Sequence, residues 1–313
     1  MKTLCEAYIP ELPNYYHGKV RENYNLEDGT RITITTDRLS AFDRILTCIP
    51  YKGQALTQIT RYWFDNTIDI CPNHATSYPD PNVIIGQQLN IFPIEFIVRG
   101  YLAGNTKTSL LSLYNAGHRE IYGYLLPDNM RANQKLPTPL ITPTSKNDTG
   151  NHDQPISHDE IIHKGLLTEH QWEKISFYAL ALFERGCKLA SECDLILVDT
   201  KYEFGLDKHG EIILADEIHT PDSSRYWEKT SYQKSYNEGV PPISLDKDFV
   251  RRWVFEKCNP YKEQIPTIPS KLIHQTSDIY INVHERITGL KFSFDNDDTP
   301  LLSRIRKNLS YYF

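Results

Sequence analysis

The sequence predicts an α+β protein built as two lobes with a ligand cleft between them. Three observations predict it. The first hundred residues read mainly as β-strands, the remainder mixes helical and strand patterns, and residues 194–227 read as a β-hairpin loaded with charge. The expected parts are a β-rich lobe over 1–98, a central α+β lobe over 99–245, and a helical segment over 246–313 packed on the second lobe. A length of 313 residues leaves ample core for this plan.

Each element has a local reason. Tyr15 to Tyr24 reads as a strand pair bent at Gly18, and Asp28-Gly29 is a strong turn signal. The β-branched run Arg31-Ile32-Thr33-Ile34-Thr35-Thr36 suits a strand. Leu56, Ile59, Trp63 and Phe64 fall at helical spacing and predict a helix over 54–66. Ile94-Glu95-Phe96-Ile97-Val98 predicts a strand ending at Arg99-Gly100. Residues 127–155, rich in Pro, Thr, Asn and Asp, predict a long loop of the kind that usually carries function. Ser157-x-x-Glu160 and Thr168-x-x-Gln171 are capping boxes, and Trp172, Ile175, Ala179, Leu182, Phe183 and Cys187 form an apolar stripe of helical period. Two strands joined at Asp207-Lys208-His209-Gly210 follow, then helices over 246–257 and 271–288.

Composition excludes several classes. A formal net charge of −6 argues against a basic nucleic-acid surface. No apolar run approaches the roughly 20 residues that span a bilayer, and Met1-Lys2-Thr3-Leu4-Cys5-Glu6 lacks a signal-peptide core. The expectation is a cytoplasmic protein without membrane or nucleic-acid partners. Cys5, Cys48, Cys71, Cys187, Cys193 and Cys258 are scattered without metal spacing and are expected as reduced thiols.

Chemistry concentrates in the hairpin. Side chains alternate along a strand, so Asp199, Lys201 and Glu203 share one face, and a hairpin closing at 205–210 is expected to bring Asp199 near Asp216. Facing carboxylates repel unless a cation sits between them, and a hard ion such as Mg²⁺ suits oxygen ligands. Lys201 would suit a phosphate or carboxylate. Five further clusters join it. Gly18-Lys19-Val20-Arg21 offers a turn glycine with two basic side chains on one face. Ser40-Ala41-Phe42-Asp43 follows a strand, and Arg99-Gly100-Tyr101-Leu102-Ala103-Gly104-Asn105 places a guanidinium at a strand end. Ser145-Lys146-Asn147-Asp148 lies in the polar loop with His152-Asp153, where His152 has no partner at metal-ligand spacing. Thr220-Pro221-Asp222-Ser223-Ser224-Arg225 supplies a second arginine. Together these describe a nucleotide phosphate grip, a Mg²⁺ site and arginines for an anionic substrate.

The blocks at 18–21, 40–43, 98–104, 198–205 and 216–225 resemble the SAICAR synthetase family. The resemblance implies an ATP-dependent ligase of purine biosynthesis. Such an enzyme joins the carboxylate of carboxyaminoimidazole ribonucleotide (CAIR) to the amine of L-aspartate, by way of an acyl phosphate. It implies an N-terminal lobe like that of protein kinases and a second lobe like that of ATP-grasp enzymes. By the same resemblance Gly18, Lys19, Arg21, Ile91 and Glu203 hold the nucleotide, with adenine near Asn90-Ile91-Phe92. Asp216, Asp199 and Glu217 hold Mg²⁺. Ser40, Arg99, Asn105, Lys146, Asp148, Asp153 and Arg225 contact substrate, and Lys201, Asp199 and Arg99 are the catalytic residues. Asn105 stands where the family usually has Ser, a larger group that still donates a hydrogen bond. The competing reading is a kinase-like phosphotransferase acting on another small anionic metabolite. A protein kinase would need a His-Arg-Asp loop or an Asp-Phe-Gly triplet, and the chain has neither.

Overall fold

The computed structural model describes residues 2–106, 108–146, 154–294 and 299–313. The chain begins with β1 (Tyr15–His17), β2 (Arg21–Asn25) and β3 (Thr30–Thr35), then a hairpin of β4 (Arg38–Ala41) and β5 (Arg44–Cys48). Helix α1 (Lys52–Asp65), β6 (Ala75–Asp80) and β7 (Val83–Gln87) complete the first lobe. Its antiparallel sheet has the order β1-β2-β3-β7-β6. The Tyr15↔Tyr24 register folds the first pair back at Gly18-Lys19, as the glycine predicts. Ile32, Ile34, Val83 and Ile85 face one core with Leu4 and Ile9.

The second lobe starts at β8 (Asn90–Ile91), before the expected boundary at 98, and continues with β9 (Ile94–Tyr101), α2 (Leu110–Asn115), β10 (Glu120–Ile121) and β11 (Tyr124–Leu125). Next come β12 (Lys135–Ile141), β13 (Thr144–Ser145), β14 (Gln154–Pro155), α3 (His158–His163), α4 (Glu169–Glu192), β15 (Leu195–Leu206), β16 (Ile212–Ala215) and β17 (Ser224–Glu228). The long strand β15 is the spine of this sheet. It pairs with β9, β17, β16 and β8. Both capping boxes form, on α3 and α4. The stripe of α4 buries Ile175, Ala179, Leu182 and Phe183 against Phe96, Val98 and Tyr202 of the sheet. This is the largest core, and truncating one such residue to alanine costs about 2–5 kcal/mol.

Three expectations are corrected. The stretch 127–155 is not one loop, because β12 and β13 pair with β9. Pro137 and Pro139 hid β12 from the sequence. They fall within its register shift, on a strand that among the described residues pairs with β9 alone, where the missing donors break no ladder. Cys5 and Cys48 are joined by a disulfide rather than reduced; Cys71, Cys187, Cys193 and Cys258 are free.

The third correction concerns the C-terminal helices α5 (Lys229–Glu238), α6 (Asp248–Lys257), α7 (Ser270–Thr288) and α8 (Leu301–Asn308). Beyond 246 they pack largely on the first lobe. Val250 and Val254 of α6 cover Leu39 and Ala41 of β4 and Ile49 just beyond β5. Leu301, Ile305 and Leu309 close the first-lobe core. Helix α7 spans both lobes: Tyr280 packs with Leu56 of α1, while Val283 and Ile287 join the second-lobe core. The consequence is that α6 becomes a wall of the cleft.

Candidate functional site

A cleft of about 620 Å³ opens between the β4–β5 hairpin, the face of β9 and β15, the loop 220–225 and the start of α6. Strand alternation does what the sequence predicts: Asp199, Lys201 and Glu203 project from one face of β15. Each meets a different set of charges. Asp199 accepts from Arg225 of β17 and lies 3.5 Å from Arg99 of β9, its cross-strand neighbours in register. Arg99 also donates from Nε to Thr142 Oγ1 at 2.8 Å. Lys201 bonds Glu203 and lies 3.1 Å from Glu95 and 3.9 Å from Asp216. Burial opposes its charge, but Glu203, Glu95 and Asp216 outweigh burial and raise its pKa. Glu203 accepts from both Lys201 and Lys146. Burial pushes its pKa up, yet these two ammonium groups bring it down to about 2.

The turn of the hairpin forms at 207–210, with Asp207 Oδ1 accepting from the amides of His209 and Glu211. The expected facing of Asp199 and Asp216 does not occur. Glu203 pairs with Ala215, so Asp216 follows on from Glu203, and the residues across from Asp199 are arginines. Strand β16 also stops at Ala215, so the expected alternation of Asp216 and Glu217 ends there. Asp216 has φ 62°, a left-handed conformation that costs energy for a residue with a side chain. That turn lets two consecutive carboxylates converge on one guanidinium. Arg21 lies 2.7 Å from Asp216 and 2.7 Å from Glu217. Burial raises the pKa of Glu217, with Arg21 opposing.

The β1–β2 turn is clamped from below. Gly18 N donates to Arg21 O at 2.8 Å, and a Cβ on Gly18 would stand only 3.0 Å from that oxygen. Buried Arg38 donates to Gly18 O (2.9 Å), Lys19 O (3.0 Å) and Cys5 O (2.7 Å), and pairs with Glu22 (2.5 Å). Lys19 reaches Asp43 at 2.6 Å across the mouth.

Not every expected residue faces the cleft. Ser40 lines it, whereas Asn105 is exposed outside the lining and its neighbours Thr106, Thr108 and Ser109 take that wall. Ile91 is partly exposed on β8, paired with Gly205 away from the main cleft, and Phe92 is turned into the core. Asp148 and Asp153 lie outside the described residues. Sequence reasoning gave no role to Glu95, Asp222, Lys247, Arg251 and Tyr261, all of which line the cleft. The spacing of Lys247 and Arg251, four apart on one helical face, was the available signal.

Among the described residues no group of three or more His, Cys, Asp or Glu side chains gathers into a metal cage. The convergent pair Asp216 and Glu217 is instead the arrangement that suits Mg²⁺, which takes one or two carboxylates and completes its shell with water and phosphate oxygens. That Arg21 already draws both carboxylates to one point shows that they can hold positive charge there.

Comparison with known proteins gives a consistent set of relatives. The family model described as SAICAR synthetase matches residues 14–268. The chain is 62% identical to a putative phosphoribosylaminoimidazole-succinocarboxamide synthase 2 of Agrobacterium fabrum, over 100% of this chain and 99% of that one. It is 46% identical to the chloroplastic phosphoribosylaminoimidazole-succinocarboxamide synthase of Arabidopsis thaliana, over 97% of this chain and 74% of that one. Among solved structures it superimposes on the Saccharomyces cerevisiae SAICAR synthase complexed with SAICAR. There the TM-score is 0.79 and the identity 28%, with 93% of this chain and 100% of that one covered. A SAICAR synthetase in complex with ADP gives a TM-score of 0.69 at 26% identity, covering 90% of this chain and 100% of that one.

Proposed function

Since this chain belongs to the SAICAR synthetase family, and is therefore an ATP-dependent ligase of purine biosynthesis, we propose how its residues divide the work. The observation that carries the reading is the row Asp199, Lys201 and Glu203 on one face of β15. Their partners change from two arginines at Asp199 to two lysines at Glu203, and Lys201 between them lies 3.9 Å from Asp216 of the Arg21–Asp216–Glu217 group. At about 3.3 Å per residue the row spans about 13 Å, enough to set a triphosphate and an acceptor carboxylate end to end.

The nucleotide end lies at the β1–β2 turn. Gly18, Lys19 and Arg21 grip the phosphates, with the turn held in shape by Arg38. Asp216 and Glu217 would hold Mg²⁺, which would supply neutralisation of phosphate charge. Asp199 alone is shared by two guanidiniums, whereas Asp216 and Glu217 together face one, so the metal role falls to that pair. Glu203 and Ile91 flank the nucleoside. Lys201, kept protonated by three carboxylates, is a fixed cation for the phosphoryl group in transit.

The acceptor end lies at Arg99 and Arg225. Asp199 holds both guanidiniums in a fixed geometry, and they orient CAIR with its carboxylate toward the ATP terminus. Ser40 and Lys146 add polar contacts. Phosphorylating that carboxylate converts a poor electrophile into an acyl phosphate. The L-aspartate amine then attacks the acyl carbon, phosphate leaves with the bonding pair, and the amine loses a proton to give the amide of SAICAR. The protein acts in the cytoplasm on small-molecule substrates.

The test is ADP release by purified protein with ATP, Mg²⁺, CAIR and L-aspartate, each omitted in turn. The expected result is turnover that requires all four. ADP release indifferent to CAIR or to aspartate defeats the reading, and a hydroxyl-directed phosphotransferase would show that pattern.

A further inference from the structure

Among the described residues, two cations of the cleft make no ion pair. Lys247 and Arg251 stand at the start of α6, one helical turn apart, and both line the cleft beside Ser223, Arg225 and Tyr261. Among the described residues neither makes an ion pair, and Arg251 Nε is buried without an acceptor. The acids around them are committed elsewhere. Asp222 pairs with Lys52 at 2.8 Å and accepts from the Tyr280 hydroxyl at 2.6 Å. Asp246 accepts from the amides of Tyr226 (2.7 Å) and Asp248 (2.6 Å) and from Ser244 Oγ (3.1 Å). Asp248 is held by Arg252 at 2.8 Å, and Asp199 by Arg225 and Arg99.

An uncompensated cation in a partly dry cleft is costly, and it persists where a ligand supplies the missing charge. Lys247 registers that cost. Burial lowers its pKa, Asp222 and Glu217 oppose, Arg251 and Lys52 add to the lowering, and the result is about 8. The contrast with Lys201, on another wall of the same cleft, is direct: Lys201 has three carboxylates about it and its pKa moves the other way.

On the reading that this cleft makes SAICAR, we propose that Lys247 and Arg251 form a second anion-binding locus, separate from the Arg99–Arg225 pair, that takes the free anionic end of one substrate. The required chemistry is a group of concentrated negative charge with oxygen acceptors for an ammonium and a guanidinium. Two sources fit it: the ribose phosphate of CAIR and the carboxylates of L-aspartate. Because the two side chains share one locus, both must serve the same source.

The test uses full-length wild type, Lys247→Gln and Arg251→Gln, with ATP, CAIR and aspartate varied in turn. The expected result is a KM for one anionic substrate raised roughly tenfold or more in both variants, with the KM for ATP unchanged. A raised KM for CAIR identifies the phosphate as the ligand; a raised KM for aspartate identifies the dicarboxylate. Wild-type KM values for both, or a change confined to ATP, overturns the proposal, as does a split in which the two variants affect different substrates. A second measurement does not depend on turnover. Ribose 5-phosphate or succinate should raise the thermal midpoint of the wild type and not of the variants. If the wild type fails to make SAICAR the functional reading falls, yet this binding comparison still decides whether the locus exists. Should Arg251→Gln not fold, Arg251→Lys replaces it, keeping the charge and losing the planar fork.

Discussion

At the Arg21 end of the β15 row three cations lie against carboxylates of the chain: Arg21 against Asp216 and Glu217, Lys201 against Glu95 and Glu203, Lys146 against Glu203. At the Arg225 end a single carboxylate, Asp199, pairs with two arginines, and among the described residues Lys247 and Arg251 make no ion pair. Both ends hang on β15, so the difference is not one of scaffold. It is one of charge balance. An acid-rich end suits a polyanion that arrives with a divalent cation, whereas a cation-rich end suits substrates that arrive as bare anions. The comparison makes the two ends separable by experiment.

The largest effect is expected at the acid-rich end. Asp216→Asn removes one charge from the convergent pair while keeping its shape, and should lower turnover by roughly 10²–10³-fold. Because Asp216 is partly exposed, the thermal midpoint should move little. Steady-state ADP release alongside a thermal melt checks both, and wild-type turnover would break the assignment. Chelation of divalent cations sharpens the contrast. It should stop turnover while leaving CAIR binding, measured calorimetrically without nucleotide, in place. At the cation-rich end Arg225→Gln should weaken CAIR by roughly 2 kcal/mol, about 30-fold, with the KM for ATP near its wild-type value. A shift in the ATP term instead would show that the ends are not separate.

How far the sequence foretold this contrast depends on the range of the interactions. The face shared by Asp199, Lys201 and Glu203 was legible because strand alternation is local, and the capping boxes of α3 and α4 were legible for the same reason. The partners of Asp199 were not, because they depend on which strands flank β15, and that is set by packing across the whole second lobe. The left-handed Asp216 could not be read either, since nothing in Leu-Ala-Asp-Glu marks a non-glycine residue for that conformation. The segment 246–257 was recognised as a helix, but its place on the β4–β5 hairpin follows from the apolar side of Leu39, Ala41 and Ile49, a tertiary fact. Hence Lys247 and Arg251 were seen as helix residues and not as cleft residues.

A middle-sized effect separates the ends by acid. The folded-state pKa of Glu203 lies near 2, below the ordinary 4.5, so its ionised form is favoured by folding. The sign follows: this stabilisation is fully present above about pH 4.5 and is lost as pH falls toward 2. The stability gap between wild type and Glu203→Gln, measured by urea unfolding, should therefore shrink across that window. A gap that stays constant would mean that Lys201 and Lys146 do not hold Glu203 as the geometry indicates.

The smallest effect concerns the wall behind the cation-rich end. Asp222 sits in the loop that ends at Arg225, and it is fixed by fully buried Lys52 of α1 and by the Tyr280 hydroxyl of α7. Two helices from distant parts of the sequence thus set the position of one substrate loop. Tyr280→Phe removes one hydrogen bond to a charged acceptor and leaves the ring packed, a loss of about 2 kcal/mol. The bond to Lys52 remains, so the loop should loosen and not unfold. The expected outcome is a lowered thermal midpoint, a severalfold higher KM for CAIR or aspartate and an unchanged KM for ATP. The direction is the informative part. If loosening this loop raised the KM for ATP alone, the wall held by Tyr280 would belong to the nucleotide end, and the division of the cleft drawn from its charges would have to be redrawn.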